Sequence, residues 1–213
     1  MATGTALGLL ADIAEAQQGL ITTRQAEQAG VARRDLSRLA ATAGLERVAH
    51  GVYRVGGAPR SRLQELRAAW LQLAPGTPVD QRTVADGVVS HVSAALVYEA
   101  GLLDPRRYEF TIPPPRRVRT RRADVVIHRR PLDAANVNWV EEILVTTPVR
   151  TTGDLCAARL DGEHLAGVIT DLIDKRLASR RQVAAAVAPY AADYGIHPAD
   201  EFFPHLLQIG GAK

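Results

Sequence analysis

Residues 19–55 read GLITTRQAEQAGVARRDLSRLAATAGLERVAHGVYRV, and this stretch decides the fold of the N-terminal part of the chain. Thr22 and Gln25 have the spacing of a capping box, which predicts the start of a short helix. Gly30 ends that helix, and a second helix is predicted over about residues 32–43, before Gly44. The order predicts two helices joined by a tight glycine turn.

The segments on either side extend this motif. Upstream, residues 5–17 place apolar side chains at helical spacing, which predicts an amphipathic helix. Downstream, residues 45–55 alternate apolar and polar residues around His50 and Gly51, which predicts a short hairpin because glycine readily adopts a positive φ. The order of helix, helix-turn-helix and two-stranded wing predicts a winged helix-turn-helix.

The second helix of the pair carries a polar face. Leu36 and Leu39 share one side of the predicted helix, whereas Arg34 and Arg38 point the opposite way. A major groove about 12 Å wide admits one helix, and an arginine fork matches the two acceptors of a guanine edge. The alternative is a charged face that contacts only solvent, but the flanking wing and tight turn favour DNA binding. The predicted DNA-contacting residues are Thr22, Thr23, Arg24, Arg33, Arg34, Ser37, Arg38, Arg47, His50 and Arg54.

Charge is distributed unevenly along a chain whose net charge is only +3. Residues 1–60 hold seven arginines against five acids, and residues 106–130 hold nine against two. The excess of arginine over lysine is also typical of a GC-rich genome, so it does not by itself indicate DNA binding. A basic loop, residues 116–122, contains Arg116, Arg117, Arg119, Arg121 and Arg122. It is predicted to be a phosphate-contacting arm, a protein-binding patch or a solvated hairpin tip.

The proline and glycine residues of 75–78 indicate a loop between two parts of the chain. The predicted domains are residues 1–58, a winged helix-turn-helix; residues 59–78, a connecting helix and hinge; and residues 79–213, a mixed α/β domain. In the last of these, strands are predicted at 88–89, 108–113, 123–130 and 143–147. Helices are predicted at 91–100, after Thr147-Pro148, over 161–177, from a capping box at Ser179 and Gln182, and in the tail around Phe202. The fold class is therefore α+β.

The motifs of metal, nucleotide and nucleophile sites are missing from the sequence. The six histidines never form an H-x-x-x-H pair, there is no C-x-x-C, and the glycine-rich phosphate motifs are absent. Ser90 and Ser93 lack a G-x-S-x-G context, so Ser90 is predicted to be a helix cap. Lys175 lacks the acid two residues earlier that a nuclease would need. We therefore expect no catalytic residue, metal or cofactor, and a binding function.

The single cysteine, Cys156, allows no internal disulfide, and the first twenty residues do not have the pattern of a signal peptide. No apolar run approaches the roughly 18 residues that a membrane helix needs. We expect a cytoplasmic protein without membrane contact.

Several segments resemble the AbiEi-type antitoxins of bacterial type IV toxin-antitoxin systems. Residues 19–55 resemble the winged helix of that family. Three later segments resemble the second domain of the same family: VVSHVSAALVYEAGLL (88–103), YEFTIPPPRRVRTRRADVVIHRR (108–130) and ILVTTPVRTTGDLCAARLDGE (143–163). The resemblance implies a regulator that binds double-stranded operator DNA, represses its own operon and opposes a nucleotidyltransferase-like toxin encoded alongside.

Two other functions remain open from the residues. One is a transcription regulator whose second domain senses a small ligand, with no toxin partner. The other is a DNA-processing enzyme whose active site leaves no sequence motif. An adjacent toxin gene would favour the antitoxin, and metal-dependent DNA cleavage would favour the enzyme.

Overall fold

The computed structural model describes residues 3–104, 106–120 and 122–211. Within these residues the helices are α1 (Thr3–Glu15), α2 (Thr23–Gln28), α3 (Arg33–Ala41), α4 (Gln64–Leu73), α5 (His91–Val97), α6 (Pro148–Ala157), α7 (Gly162–Asp174), α8 (Arg180–Val187) and α9 (Phe202–Ile209). The strands are β1 (Leu20–Thr22), β2 (Leu45–Ala49), β3 (Val52–Val55), β4 (Val88–Val89), β5 (Tyr108–Thr111), β6 (Val125–His128), β7 (Val137–Val140) and β8 (Ile143–Thr146). The predicted class, an N-terminal helix-turn-helix followed by a mixed α/β domain, is confirmed.

The helix-turn-helix is built by local contacts that the sequence predicts. Thr22 Oγ1 accepts a hydrogen bond from the backbone N–H of Gln25, and Gln25 Oε1 accepts one from the N–H of Thr22, at 3.1 and 3.0 Å. This capping box starts α2. Gly30 has a φ of +85°, and Val31 behind it is fully buried. Glycine suits this turn because a side chain is strained at such a φ.

The wing is a three-stranded sheet rather than a two-stranded one. β2 and β3 form the predicted antiparallel hairpin around His50 and Gly51, and β1 pairs antiparallel with the other edge of β3. β1 has only three residues, all of them buried. The sequence does not predict β1, because so short a buried strand shows no alternation of polar and apolar residues.

The two faces of this small sheet pack against different elements. On one face, Ile21 joins a core formed with α1, α2 and α3, to which Leu10 and Leu36 contribute. On the other face, Leu20 and Val52 join the larger core, which includes α4 and the second sheet. The connecting helix α4 therefore packs against both parts of the chain.

The second domain contains a five-stranded sheet in the order β6-β5-β4-β8-β7. β4 pairs parallel with β8, β5 pairs parallel with β6, and the other neighbouring pairs are antiparallel. Strands near the predicted 108–113 and 123–130 do flank the basic loop, but their parallel pairing excludes a hairpin tip. Parallel neighbours need a crossover connection, and the 13 residues from 112 to 124 supply it. β7 was not predicted.

Helices α6 and α8 of the second domain follow their predicted start signals. Thr147 caps α6, with Pro148 in its first turn, and Ser179 and Gln182 form the capping box of α8. In the tail, Phe202 and Leu206 of α9 are buried in the larger core. No described helix is long and apolar enough to cross a membrane.

Hydrogen bonds connect the N-terminal part to the rest of the chain. Thr22 Oγ1 bonds to the carbonyl of Pro75, and Gln25 Nε2 lies 3.4 Å from the carbonyl of Thr77. Gln18 Nε2 donates to Glu142 Oε2 at 2.5 Å. Segment 75–78, the predicted hinge, is thus anchored to the start of α2, while the boundaries after residues 58 and 78 stay predictions.

Candidate nucleic-acid interface

The outer face of α3 presents polar side chains to solvent, as the helical spacing predicts. Arg33, Arg34, Ser37 and Arg38 are all exposed, whereas Leu36 and Leu39 on the opposite side are 1% exposed. Arg34 has no side-chain partner among the described residues. Arg38 Nη2 lies 3.1 Å from Asp35 Oδ1, and Ser37 Oγ donates to the carbonyl of Arg33 at 3.1 Å.

The start of α2 lies beside this face. Arg24 is exposed, with Nη1 3.9 Å from Glu27 Oε2, and Arg33 Nε lies 2.5 Å from Glu27 Oε1. Thr23 donates its backbone N–H to the carbonyl of Gly51 at 2.8 Å, which joins α2 to the turn of the wing. Thr22 is buried and is used as the helix cap, so its side chain does not face solvent.

The wing contributes two of its three predicted residues to the exposed surface. Arg47 and His50 are exposed, and Arg47 Nη2 lies 3.2 Å from His50 Nδ1. The carbonyl of His50 accepts a hydrogen bond from Gln72 Nε2 of α4 at 2.7 Å, which holds the wing turn in place.

For Arg54 the structure corrects the expectation of an exposed wing residue. Its side chain is 11% exposed, and its guanidinium bonds to the carboxylate of Glu46 and the carbonyl of Ala58. Arg54 lies on the same face of β3 as Val52, and this face is buried because it packs against the larger core. Arg54 thus stabilises the wing from within.

Some arginines of the basic loop are bonded to other side chains of the protein, and others are exposed to solvent. Arg116 Nη1 lies 2.5 Å from Asp86 Oδ1, and Arg122 bonds to Asp124 and to Gln72 Oε1. Arg117 and Arg119 are exposed and have no side-chain partner in the described parts of the chain. Arg121 lies outside the described residues.

A groove of about 910 Å³ connects the two basic zones. One wall is formed by the start of α2, Arg33 and the wing turn, and the other by residues 118–120 and Arg122 of the basic loop. Side chains of α4 form the floor between them, with Ala69, Gln72 and Leu73. The four arginines of the lining, Arg24, Arg33, Arg119 and Arg122, outnumber its single acid, Glu27. A cleft lined by an excess of one charge concentrates ligands of opposite charge, here polyanions.

A second polar cluster lies within the second domain, away from this groove. Ser90 Oγ lies 2.9 Å from His91 Nδ1, and His128 Nε2 lies 2.6 Å from Glu109 Oε2. The rings of His91 and His128 are stacked, with centroids 3.6 Å apart. Burial of His91, assisted by the charges of His128, Arg150 and Arg130, lowers the pKa of its imidazole to about 3.

Sequence spacing could not reveal this cluster, because its residues come from three distant segments that only strand pairing brings together. Ser90 occupies the predicted cap position before α5, but its hydroxyl does not cap the helix. The hydroxyl contacts His91 and accepts a hydrogen bond from Thr111 at 2.9 Å instead. The expectation of no metal ligand depends on sequence spacing, which carries no information on a group of side chains assembled by strand pairing.

Comparisons with known proteins agree with the geometry of the N-terminal part. Residues 9–56 match the model of a family described as "Transcriptional regulator, AbiEi antitoxin". No curated protein has a matching sequence. Among solved structures, the RV2827C protein from Mycobacterium tuberculosis superposes with a TM-score of 0.56 at 18% identity, over 97% of this chain and 78% of that one. That likeness shows a shared fold.

The family match covers α2, α3 and the wing, the elements that carry the exposed Arg24, Arg34 and Arg47. The resemblance stated from the sequence is confirmed for this region. Residues 9–56 are thus similar to the AbiEi antitoxin transcriptional regulators.

Proposed function

We propose that this chain is a DNA-binding antitoxin that represses its own toxin-antitoxin operon and acts in the cytoplasm. The observation that carries the proposal is the exposed arginine face of α3, positioned by the Gly30 turn within the region that matches the regulator family. Helix-turn-helix proteins place the second helix of the motif in the major groove. Arg34 and Arg38 are therefore assigned to base edges, with Arg33 and Ser37 beside them.

The remaining contacts are assigned to the DNA backbone. Arg47 and His50 at the wing, and Arg24 at the start of α2, are exposed next to α3 and suit phosphates or the minor groove. Arg119 of the basic loop lines the groove, and the exposed Arg117 lies two residues before it, so both are assigned to this surface. Arg54 is left out of the contact set because its guanidinium is buried and bonded within the protein.

The direct test measures binding to the DNA upstream of the gene by fluorescence anisotropy. The double variant Arg34→Ala/Arg38→Ala should lose specific binding, because each bidentate base contact supplies about 1–3 kcal/mol of discrimination. The matched control is Arg180→Ala/Arg181→Ala, which removes two exposed arginines from α8 and so changes the net charge equally. The control should bind like the wild type.

Circular dichroism of both variants checks that the fold is intact. Unchanged affinity of the α3 variant for the upstream DNA would contradict the assignment. Equal losses in both variants would show that net charge, rather than the α3 face, determines binding.

The antitoxin function is assigned mainly to the second domain, because the winged helix is occupied by DNA. By resemblance, the opposing partner is a nucleotidyltransferase-like toxin, and the chain acts by binding rather than by catalysis. The test expresses the toxin from an unrelated promoter, so that repression plays no part. Under that arrangement, full-length Arg34→Ala/Arg38→Ala should still restore growth. Failure of both this variant and the wild type would leave a repressor without antitoxin activity.

A further inference from the structure

Three side chains of the second domain meet in the arrangement of a metal site. One ligand atom each of His91, Glu109 and His128 lies within 4.8 Å of those of the other two. We propose that these residues bind a divalent transition metal ion, with Zn²⁺ as the best match. Two imidazoles and one carboxylate form a nitrogen and oxygen donor set that Zn²⁺ accepts.

The sheet topology explains how residues so distant in sequence meet. β5 and β6 run parallel with Glu109 opposite Val126, and His128 lies two residues beyond Val126. Because alternate residues of a strand share a face, Glu109 and His128 project from the same side of the sheet. The backbone N–H of Ser90 bonds to the carbonyl of Glu109 at 3.0 Å, which brings the adjacent His91 to the same place.

His91 is held by its surroundings in an unfavourable backbone conformation. It is 5% exposed, and its backbone φ is +54°, a value that residues other than glycine rarely adopt. Backbone strain of this kind is concentrated at binding and catalytic sites, where the fold over-determines a residue's position.

The hydroxyl of Ser90 is placed as an outer partner of the site. It lies 2.9 Å from His91 Nδ1, and Thr111 Oγ1 donates a hydrogen bond to it at 2.9 Å. Metal-binding histidines usually have such a partner at the ring nitrogen that does not bind the metal, and it fixes the tautomer and the ring orientation.

Metal binding requires one local rearrangement. The stacked rings of His91 and His128 are inclined by only 15°, and an ion in the plane of one ring cannot also lie in the plane of the other. His128, whose side chain is 25% exposed against 5% for the whole of His91, is the ring that can turn. In the metal-bound state, coordination replaces the hydrogen bond between His128 and Glu109.

The test uses the full-length, tag-free chain after treatment with a chelator. Titration with Zn²⁺ by calorimetry should give one ion per chain, and Co²⁺ should give visible absorption bands typical of nitrogen and oxygen ligands. Zn²⁺ should also raise the melting temperature, because a ligand that binds only the folded state stabilises it. DNA binding is not part of the readout, so the result is independent of the proposed function.

Glu109→Gln and His128→Asn are the informative variants, because both positions are only partly buried. Each should weaken Zn²⁺ binding by at least about tenfold while the metal-free circular dichroism spectrum stays that of the wild type. The matched control is His164→Ala, which removes an exposed histidine whose Nδ1 lies 3.2 Å from Asp161. It should leave the affinity unchanged.

Failure of the wild type to bind Zn²⁺ or Co²⁺ would overturn the proposal. The same holds if His164→Ala weakens binding while Glu109→Gln and His128→Asn do not, since the ion would then occupy the protein surface.

Discussion

Arg34 and Arg38 on α3 and Arg67 and Arg82 around α4 are the same residue type in opposite environments. The first two are exposed, whereas Arg67 and Arg82 are 1% and 4% exposed. The exposed pair leaves most of its donors to solvent, with one contact from Arg38 to Asp35. The buried pair directs most of its donors to backbone carbonyls of the protein. A count of arginines in the sequence therefore overstates the charge that can bind a partner.

Arg82 shows what a buried arginine does in this fold. Its guanidinium donates to the carbonyls of Trp70, Leu71 and Ala74 at 2.9, 2.9 and 2.7 Å, at the end of α4. It also lies 4.2 Å from the centre of the Trp70 ring. The carbonyls of Leu71 and Ala74 also accept backbone hydrogen bonds from Ala74 and Thr77, at 3.3 and 3.1 Å, so Arg82 adds side-chain donors to the helix end. Desolvation lowers the pKa of Arg82 to about 10, which leaves it charged at neutral pH.

The first prediction tests the buried side of the comparison and has the largest expected effect. Arg82→Ala should destabilise the fold by roughly 3–5 kcal/mol, because it removes three hydrogen bonds to carbonyls and opens a cavity in the interior. Arg34→Ala, the exposed counterpart, should stay within about 0.5 kcal/mol of the wild type. Urea denaturation measures both. Similar stabilities of the two variants would show that Arg82 is not part of the framework.

The second prediction makes the comparison within one hairpin. Arg54→Ala should lower the free energy of unfolding by about 1–2 kcal/mol, because it removes the hydrogen bonds to Glu46 and Ala58. Arg47→Ala should leave stability unchanged and weaken binding to specific and random DNA alike. Denaturation and anisotropy on both variants separate the roles. The outcome that contradicts this division is a loss of DNA affinity in Arg54→Ala at unchanged stability.

The third prediction applies the same division to the basic loop and has the smallest expected effect. Arg117→Ala/Arg119→Ala should reduce the slope of log K against log salt by roughly 0.9 for each phosphate that the loop no longer neutralises. The control variant Arg116→Ala/Arg122→Ala removes the same formal charge. Its two arginines, however, are bonded within the protein to Asp86, Asp124 and Gln72. It should change the slope less. Equal slopes for wild type and Arg117→Ala/Arg119→Ala would remove the loop from the DNA interface.

Local signals in the sequence determined the elements of the N-terminal part. These signals act over a few residues and can be recognised in the sequence alone. They are the capping box of Thr22 and Gln25, the helix stop at Gly30 and the apolar spacing of Leu36 and Leu39. The same holds for the exposure of Arg34 and Arg38, which follows from helical periodicity. The α3 face of the candidate interface could be predicted for this reason.

Only the tertiary structure decided features that depend on pairing between distant segments. The parallel pairing of β5 with β6 turned the supposed hairpin tip into a crossover and brought Glu109 and His128 together beside His91. The packing of the wing likewise buried Arg54. No local pattern encodes these outcomes, because strand register and burial are settled by which surfaces can pack together. A side chain's neighbours depend on the whole fold, whereas its helical phase depends only on the residues next to it.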